Sequence, residues 1–195
     1  MQQAGGPTQL ETQLAGAGGS LTQLRDEVRS RLNEAHLEDR FAQQRAAQVE
    51  QMLASGSDFA GAARQYSDDS GSSAGGGDLG TITLDALKTY DPVFAAAVRA
   101  LHAGQYTTTP VHDAGGYDII QVYAATASAR GVRHILVAAP EPYTVTGRPS
   151  WFSESLFATV AELCQQGAIR VYIDDAGADP CAGAPTLPAS ASPAS

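Results

Sequence analysis

Two adjacent aspartates, Asp68 and Asp69, and one histidine in a strand-like run, His134, are the residues whose types could carry proton chemistry. Paired carboxylates serve glycosidic cleavage, but neighbours along a chain point their side chains apart, which argues against that use of Asp68 and Asp69. The run Gly75-Gly76-Gly77-Asp78-Leu79-Gly80 resembles a phosphate cradle, yet it lacks the Lys-Ser/Thr of a P-loop and follows no strand. His36 and His102 fall on helical segments with no second ligand at metal-binding spacing, so surface or interface roles are expected and neither a metal nor a cofactor is called for. Cys164 and Cys181 form neither a CxxC pair nor a zinc set. A bond between them would staple the last strand to the tail in an oxidising compartment; two free thiols fit the sequence equally well.

The elements that must position these residues follow from periodicity. Ser20 and Gln23 form a capping-box pattern, and Leu21, Leu24, Val28, Leu32 and Ala35 open an apolar stripe that runs through Phe41, Val49, Met52 and Leu53. This spacing predicts one long amphipathic helix. Asp58 caps a short helix to Tyr66, a Ser/Gly/Asp-rich loop spans 67–80, and a second short helix follows Pro92 until Gly104. The period then becomes two: 107–111, 117–123 and 132–137 read as strands, with Asp113-Ala114-Gly115-Gly116 as a hairpin turn. A helix over 151–165 and a strand over 169–173 complete the pattern, which is α+β.

Composition bounds the rest. A chain of 195 residues, 43% hydrophobic, supports one core with appendages. Segments 1–19 and 182–195 are rich in small residues and are expected to be disordered. The formal charge of −9 with scattered Lys and Arg argues against nucleic acid, and no apolar run is long enough to span a membrane. Met1-Gln2-Gln3-Ala4-Gly5-Gly6 is not a signal peptide, so a leader, if the protein is exported, is expected to be absent from this chain.

Asp58-Phe59, Ala63, Tyr66-Ser67-Asp68-Asp69 and Gly76-Gly77-Asp78-Leu79-Gly80, followed by Phe94, Leu101, Gly104, Pro110-Val111 and Gly116-Tyr117-Asp118-Ile119-Ile120-Gln121-Val122, resemble the parvulin-type (PpiC, rotamase) peptidyl-prolyl isomerases. The resemblance covers residues 45–123. It implies an antiparallel four-stranded sheet flanked by helices. Such domains open on a strand reading roughly His-Ile-Leu-Val, and no such run precedes the long helix; Arg133-His134-Ile135-Leu136-Val137 occurs after the last matching strand instead. The resemblance makes first and last strands antiparallel neighbours, so 124–131 would join them as a hairpin and the domain would be circularly permuted. Two rivals are a truncated second copy beginning at 132 and a strand exchanged between the protomers of a homodimer. The organisation expected is a disordered 1–19, a helix in 20–57, a parvulin-like domain over 58–137 with its displaced strand at 132–137, an extension over 138–181 and a disordered tail.

By the same resemblance Asp69 takes the site's central Cys/Asp position and His134 its first histidine, while Asp118 replaces the second histidine. Leu79, Leu87 and Phe94 would hold the proline ring, with Leu84 as the alternative to Leu87, and Asp113 falls where a hydroxyl residue is common. The implied activity is a foldase twisting X-Pro bonds of unfolded, exported clients without cofactor, in the periplasm or at the cell surface. In that reading the helices 20–53 and 151–166 would add a chaperone-like surface; the alternative is a non-catalytic peptide-binding chaperone that keeps the parvulin fold. The loop 138–150 carries only Arg148, which argues against phosphorylated substrates.

Overall fold

The computed structural model describes residues 6–139, 149–169 and Cys181. The chain forms two compact units, residues 1–145 and 146–195.

In the first unit, helix α1 (Gly6–Gly16) lies in the segment whose composition suggested disorder. None of its residues is buried. Its Gln, Leu, Thr and Ala residues tolerate helix well enough to override the flanking glycines. Helix α2 (Leu21–Ala54) begins at the expected cap, where the Ser20 hydroxyl accepts the Gln23 N–H at 3.2 Å. Its buried positions are Glu38, Phe41, Ala42, Ala46, Val49 and Leu53, so the stripe reaches a core only in its second half. Helix α3 (Phe59–Tyr66) is capped by Asp58, and α4 (Pro92–Ala100) by Asp91 with proline at its first turn, where a missing N–H costs nothing.

The strands are β1 (Asp78–Thr83), β2 (Gln105–Tyr106), β3 (Val111–Asp113), β4 (Gly116–Ala125) and β5 (Ala129–Ala138). All pairings are antiparallel; β5 lies between β1 and β4, and both β2 and β3 pair with the outer edge of β4. The anticipated pairing of 133–137 with 117–123 is present, with Tyr117 opposite Val137 and Gln121 opposite Arg133. The sheet is therefore completed within one chain, with 132–137 in β5, one of its two inner strands.

Two strand boundaries differ from the periodicity. Of the edge strand read over 107–111 only Val111 is in a strand: β2 ends at Tyr106 and β3 begins at Val111, and the Thr107-Thr108-Thr109-Pro110 stretch between them contains a proline that cannot donate to a ladder. Strand β1 starts inside the segment read as loop. Its Asp-Leu-Gly opening has low intrinsic β tendency, and it becomes a strand through pairing with β5.

Alternation along β4 and β5 divides the core in two. Ile119 and Ile135 meet Val49 and Leu53 of α2 and Phe59, Ala62 and Ala63 of α3. On the other face Ile120, Val122 and Val132 pack with Ile82, Leu87 and α4 residues Phe94, Ala95 and Val98.

In the second unit, α5 (Ser150–Gln165) matches the expected helix, and Cys164 is disulfide-bonded to Cys181. The strand expected over 169–173 and the tail 182–195 lie outside the described residues, apart from Ile169 at the start of that strand.

Candidate active site

Three long-range contacts bring the loop after α3 onto β5. Asp68 N–H donates to the Leu136 carbonyl at 2.7 Å, the Ser67 hydroxyl accepts the Leu136 N–H at 3.1 Å, and the Asp68 carboxylate accepts the Ala138 N–H at 2.9 Å. Asp68 is thus a backbone clamp, and Asp69, next along the chain, is left to face the histidine. At the far end of the loop the Gly77 carbonyl accepts the His134 N–H at 2.9 Å. Gly77 has φ +76° and a Cβ there would come within 2.1 Å of the His134 carbonyl oxygen, so only glycine allows this approach.

His134 is the centre of a buried polar cluster. Its Nδ1 lies 2.7 Å from Asp118 Oδ1, and its Nε2 lies 3.0 Å from Asp69 Oδ2 and 3.2 Å from Ser72 Oγ. The three residues drawn from the family pattern therefore converge. Asp118 is 3% exposed and His134 8%, so neither carboxylate–imidazole contact is a surface ion pair. With both carboxylates ionised, each ring nitrogen donates to one of them and the ring is the imidazolium.

Charge and burial act in opposite directions on this cluster. Burial pulls the His134 pKa down, but hydrogen bonds and charge from Asp118 and Asp69 outweigh it and raise the value. Burial pushes Asp118 up to about 6 against the pull of His134, and the nearby Asp113 adds to the rise. Burial also acts upward on Asp69, but hydrogen bonds from Ser72, His134 and the Gly71 N–H together hold it at about 2. Two carboxylates on one imidazole thus sit in different environments, one poised near neutrality and one firmly ionised.

The apolar side of the arrangement is uneven. Phe94 meets the His134 ring edge-on at 6.1 Å, and half-buried Leu79 and Leu84 join the same cluster. Leu87 does not line a surface at all, since it is 0% exposed beneath the sheet; its helical turn (Ala86–Thr89) rotates it inward. Asp113 caps the hairpin by accepting the Gly115 N–H at 2.7 Å.

Two neighbours were not singled out by sequence reasoning. Ser72 is hidden among the serines and glycines of its loop, with no local signal. Tyr90 stacks on Phe94 at 5.6 Å and is 38% exposed, and its aromatic spacing from Phe94 was the available clue. His36 and His102 stay apart from this cluster: His102 contacts Gln105 at 3.2 Å, and His36 lines a groove with Leu32 and Leu24. Among the described residues no group of three or more His, Cys, Asp or Glu side chains has an arrangement that would hold a metal ion.

A mixed helix–sheet domain with a buried carboxylate–imidazole cluster beside an aromatic is consistent with a rotamase. Residues 15–124 match the family model described as the PPIC-type PPIASE domain, more than half of the chain, and the chain belongs to that family. Among curated relatives it is similar to the "Chaperone SurA" of Salmonella choleraesuis (strain SC-B67), at 45% identity over 64 residues, 33% of this chain and 14% of the relative. It is likewise similar to that of Photorhabdus laumondii, at 45% identity over 65 residues, 33% of this chain and 14% of the relative. The Sodalis glossinidius protein of the same name is 40% identical over 88 residues, 45% of this chain and 18% of the relative. The chain therefore matches less than a fifth of the length of each of these relatives.

Proposed function

We propose that this protein is a peptidyl-prolyl cis-trans isomerase acting on unfolded polypeptide clients outside the cytoplasm. The observation that carries this reading is the His134–Asp118–Asp69 cluster set against the edge of Phe94. Rotation about an X-Pro bond faces a barrier of roughly 20 kcal/mol, and with little preference between isomers a catalyst needs only to favour the twisted imide. Neither a nucleophile nor a cofactor is required. In this reading Leu79, Leu84, Phe94 and Tyr90 hold the proline ring, while the charged cluster fixes the electrostatic field at the imide and keeps water ordered on one side.

Strand β5 lies beyond the residues matched by the family model, yet it is an inner strand of the sheet, between β1 and β4. That position supports a circularly permuted order, in which the family's opening strand is carried after its closing one. The Cys164–Cys181 disulfide supports an oxidising compartment. No helix among the described residues is long and apolar enough to cross a membrane.

A second reading, a peptide-binding chaperone without catalysis, is favoured by Asp118 itself, because a carboxylate stands where the family's second histidine is expected. A protease-coupled assay started from cis-enriched peptides with an apolar residue before proline separates the two. The uncatalysed reaction takes tens to hundreds of seconds, so weak activity is visible. We expect measurable acceleration that His134→Ala lowers while circular dichroism stays native, and a higher rate in Asp118→His. Absence of acceleration in every protein, with peptide binding retained, selects the chaperone reading.

A further inference from the structure

Ser72 is 5% exposed and sits between the two groups that the loop and the sheet contribute to the cluster. Its hydroxyl lies 2.5 Å from Asp69 Oδ2 and 3.2 Å from His134 Nε2. A hydroxyl has one proton, and the shorter contact to an ionised acceptor takes it. Ser72 therefore donates to Asp69 and accepts from the His134 Nε2–H, which is shared between Ser72 Oγ and Asp69 Oδ2. The Ser–His–Asp order of contacts is also that of acyl-transfer nucleophiles, but this proton runs to Asp69 and not to the imidazole, so Ser72 is not activated for attack.

The backbone of Ser72 is held as firmly as its side chain. Its carbonyl accepts the Gly77 N–H at 2.9 Å, and the Gly77 carbonyl in turn accepts the His134 N–H at 2.9 Å. One peptide relay thus ties Ser72 to the strand residue whose ring its hydroxyl touches. Neither the loop nor β5 can shift without breaking both links.

We propose that Ser72 is a positioning residue that holds the Asp69 carboxylate oriented against His134 and stabilises its charge. The proposal rests on the isomerase reading for its kinetic consequence but not for its physical one. The groups facing Asp69 are Ser72 and the Gly71 N–H on its own loop and His134 on β5; beyond them stand Asp118 on β4 and Asp113 at the end of β3. Only Ser72, Gly71 and His134 act on Asp69 in the downward direction. Removing the Ser72 donor takes away the first of these.

The test compares Ser72→Ala, Ser72→Thr and Ser72→Cys in the full chain. Carbon-13 NMR of the Asp69 carboxylate is expected to titrate at higher pH in Ser72→Ala by half a unit or more, with Ser72→Thr returned to the wild-type position and Ser72→Cys close to alanine. The acid limb of kcat/KM should move in the same sense, with the loss confined to pH below about 3, where Asp69 titrates, and little loss at pH 5 or pH 7. An unchanged Asp69 titration in folded Ser72→Ala overturns the proposal. A shifted titration in a chain without isomerase activity upholds it and removes the catalytic reading instead. If Ser72→Ala fails to fold, the Ser72→Thr and Ser72→Cys pair decides, since equal titrations in both would also overturn it.

Discussion

Strands β4 and β5 build both faces of the sheet from alternate residues, and the two faces are of different character. Toward α2 and α3 the strands present Ile119 and Ile135 to Val49, Leu53, Phe59, Ala62 and Ala63, an apolar contact throughout. Toward α4 the same strands place His134 directly opposite Ile120, and Asp118 opposite Leu136, within a surface otherwise made of Val122, Val132 and Phe94. Buried ion pairs are often no more stabilising than apolar side chains of equal volume, whereas removing one partner is costly. The helix-covered face is therefore where this domain gains stability, and the α4 face is where it accommodates charge.

The largest effect expected in this comparison is from Ile135→Ala, on the apolar face. Ile135 is 0% exposed, and truncating such a residue costs about 2–5 kcal/mol by lost transfer and cavity formation. Urea unfolding should report this loss equally at pH 5 and pH 8. A marked pH dependence would show that the two faces are coupled.

His134→Ala, on the polar face, is expected to cost about 3 kcal/mol at pH 6, because Asp118 is left buried without its imidazole partner. The cost should shrink as pH rises through the folded His134 value, where the wild-type imidazolium is itself lost. A loss independent of pH would mean that His134 contributes by packing alone.

The wild-type pH profile gives a smaller effect with a defined sign. The His134 pKa is raised in the fold, so its stabilisation is complete below its ordinary value of 6.5 and is lost as pH rises through the folded value. Asp118, also raised, adds stability below 3.8 that is lost as pH climbs toward 6. Asp69 works in the opposite window: its contribution is present above 3.8 and disappears as pH falls through about 2. Stability should therefore decline as pH rises above 6.5 through the folded His134 value, and His134→Gln should flatten that limb. Persistence of the limb in the variant would assign it elsewhere.

The smallest effect is expected at the edge of the apolar face. Asp58 accepts the Gly61 N–H at 2.7 Å as the cap of α3, and Asp58→Ala should cost about 1 kcal/mol and leave any rate in the peptide assay unchanged. Thermal melting and the peptide assay check both parts.

What was legible in the sequence was short-range. Helices α2, α3 and α4 were announced by Ser20, Asp58 and Pro92 at their starts and by apolar spacing, and the β3–β4 turn by its glycines. Such signals depend on residues within a turn or two of one another, so local chemistry is enough to specify them. The resemblance to the rotamases then indicated Asp69, Asp118 and His134 as members of one site, and β5 as a sheet partner of β4. Other features needed the tertiary structure. Strand β1 exists because β5 pairs with it, Leu87 is fully buried because its turn rotates it beneath the sheet, and Ser72 carries no local mark at all. The contacts that make the site join positions separated by 65 residues for Asp69 and His134 and 62 for Ser72 and His134. Hydrogen bonds across such separations form only after the sheet has closed, because they depend on where the fold delivers two distant segments and not on the preferences of either.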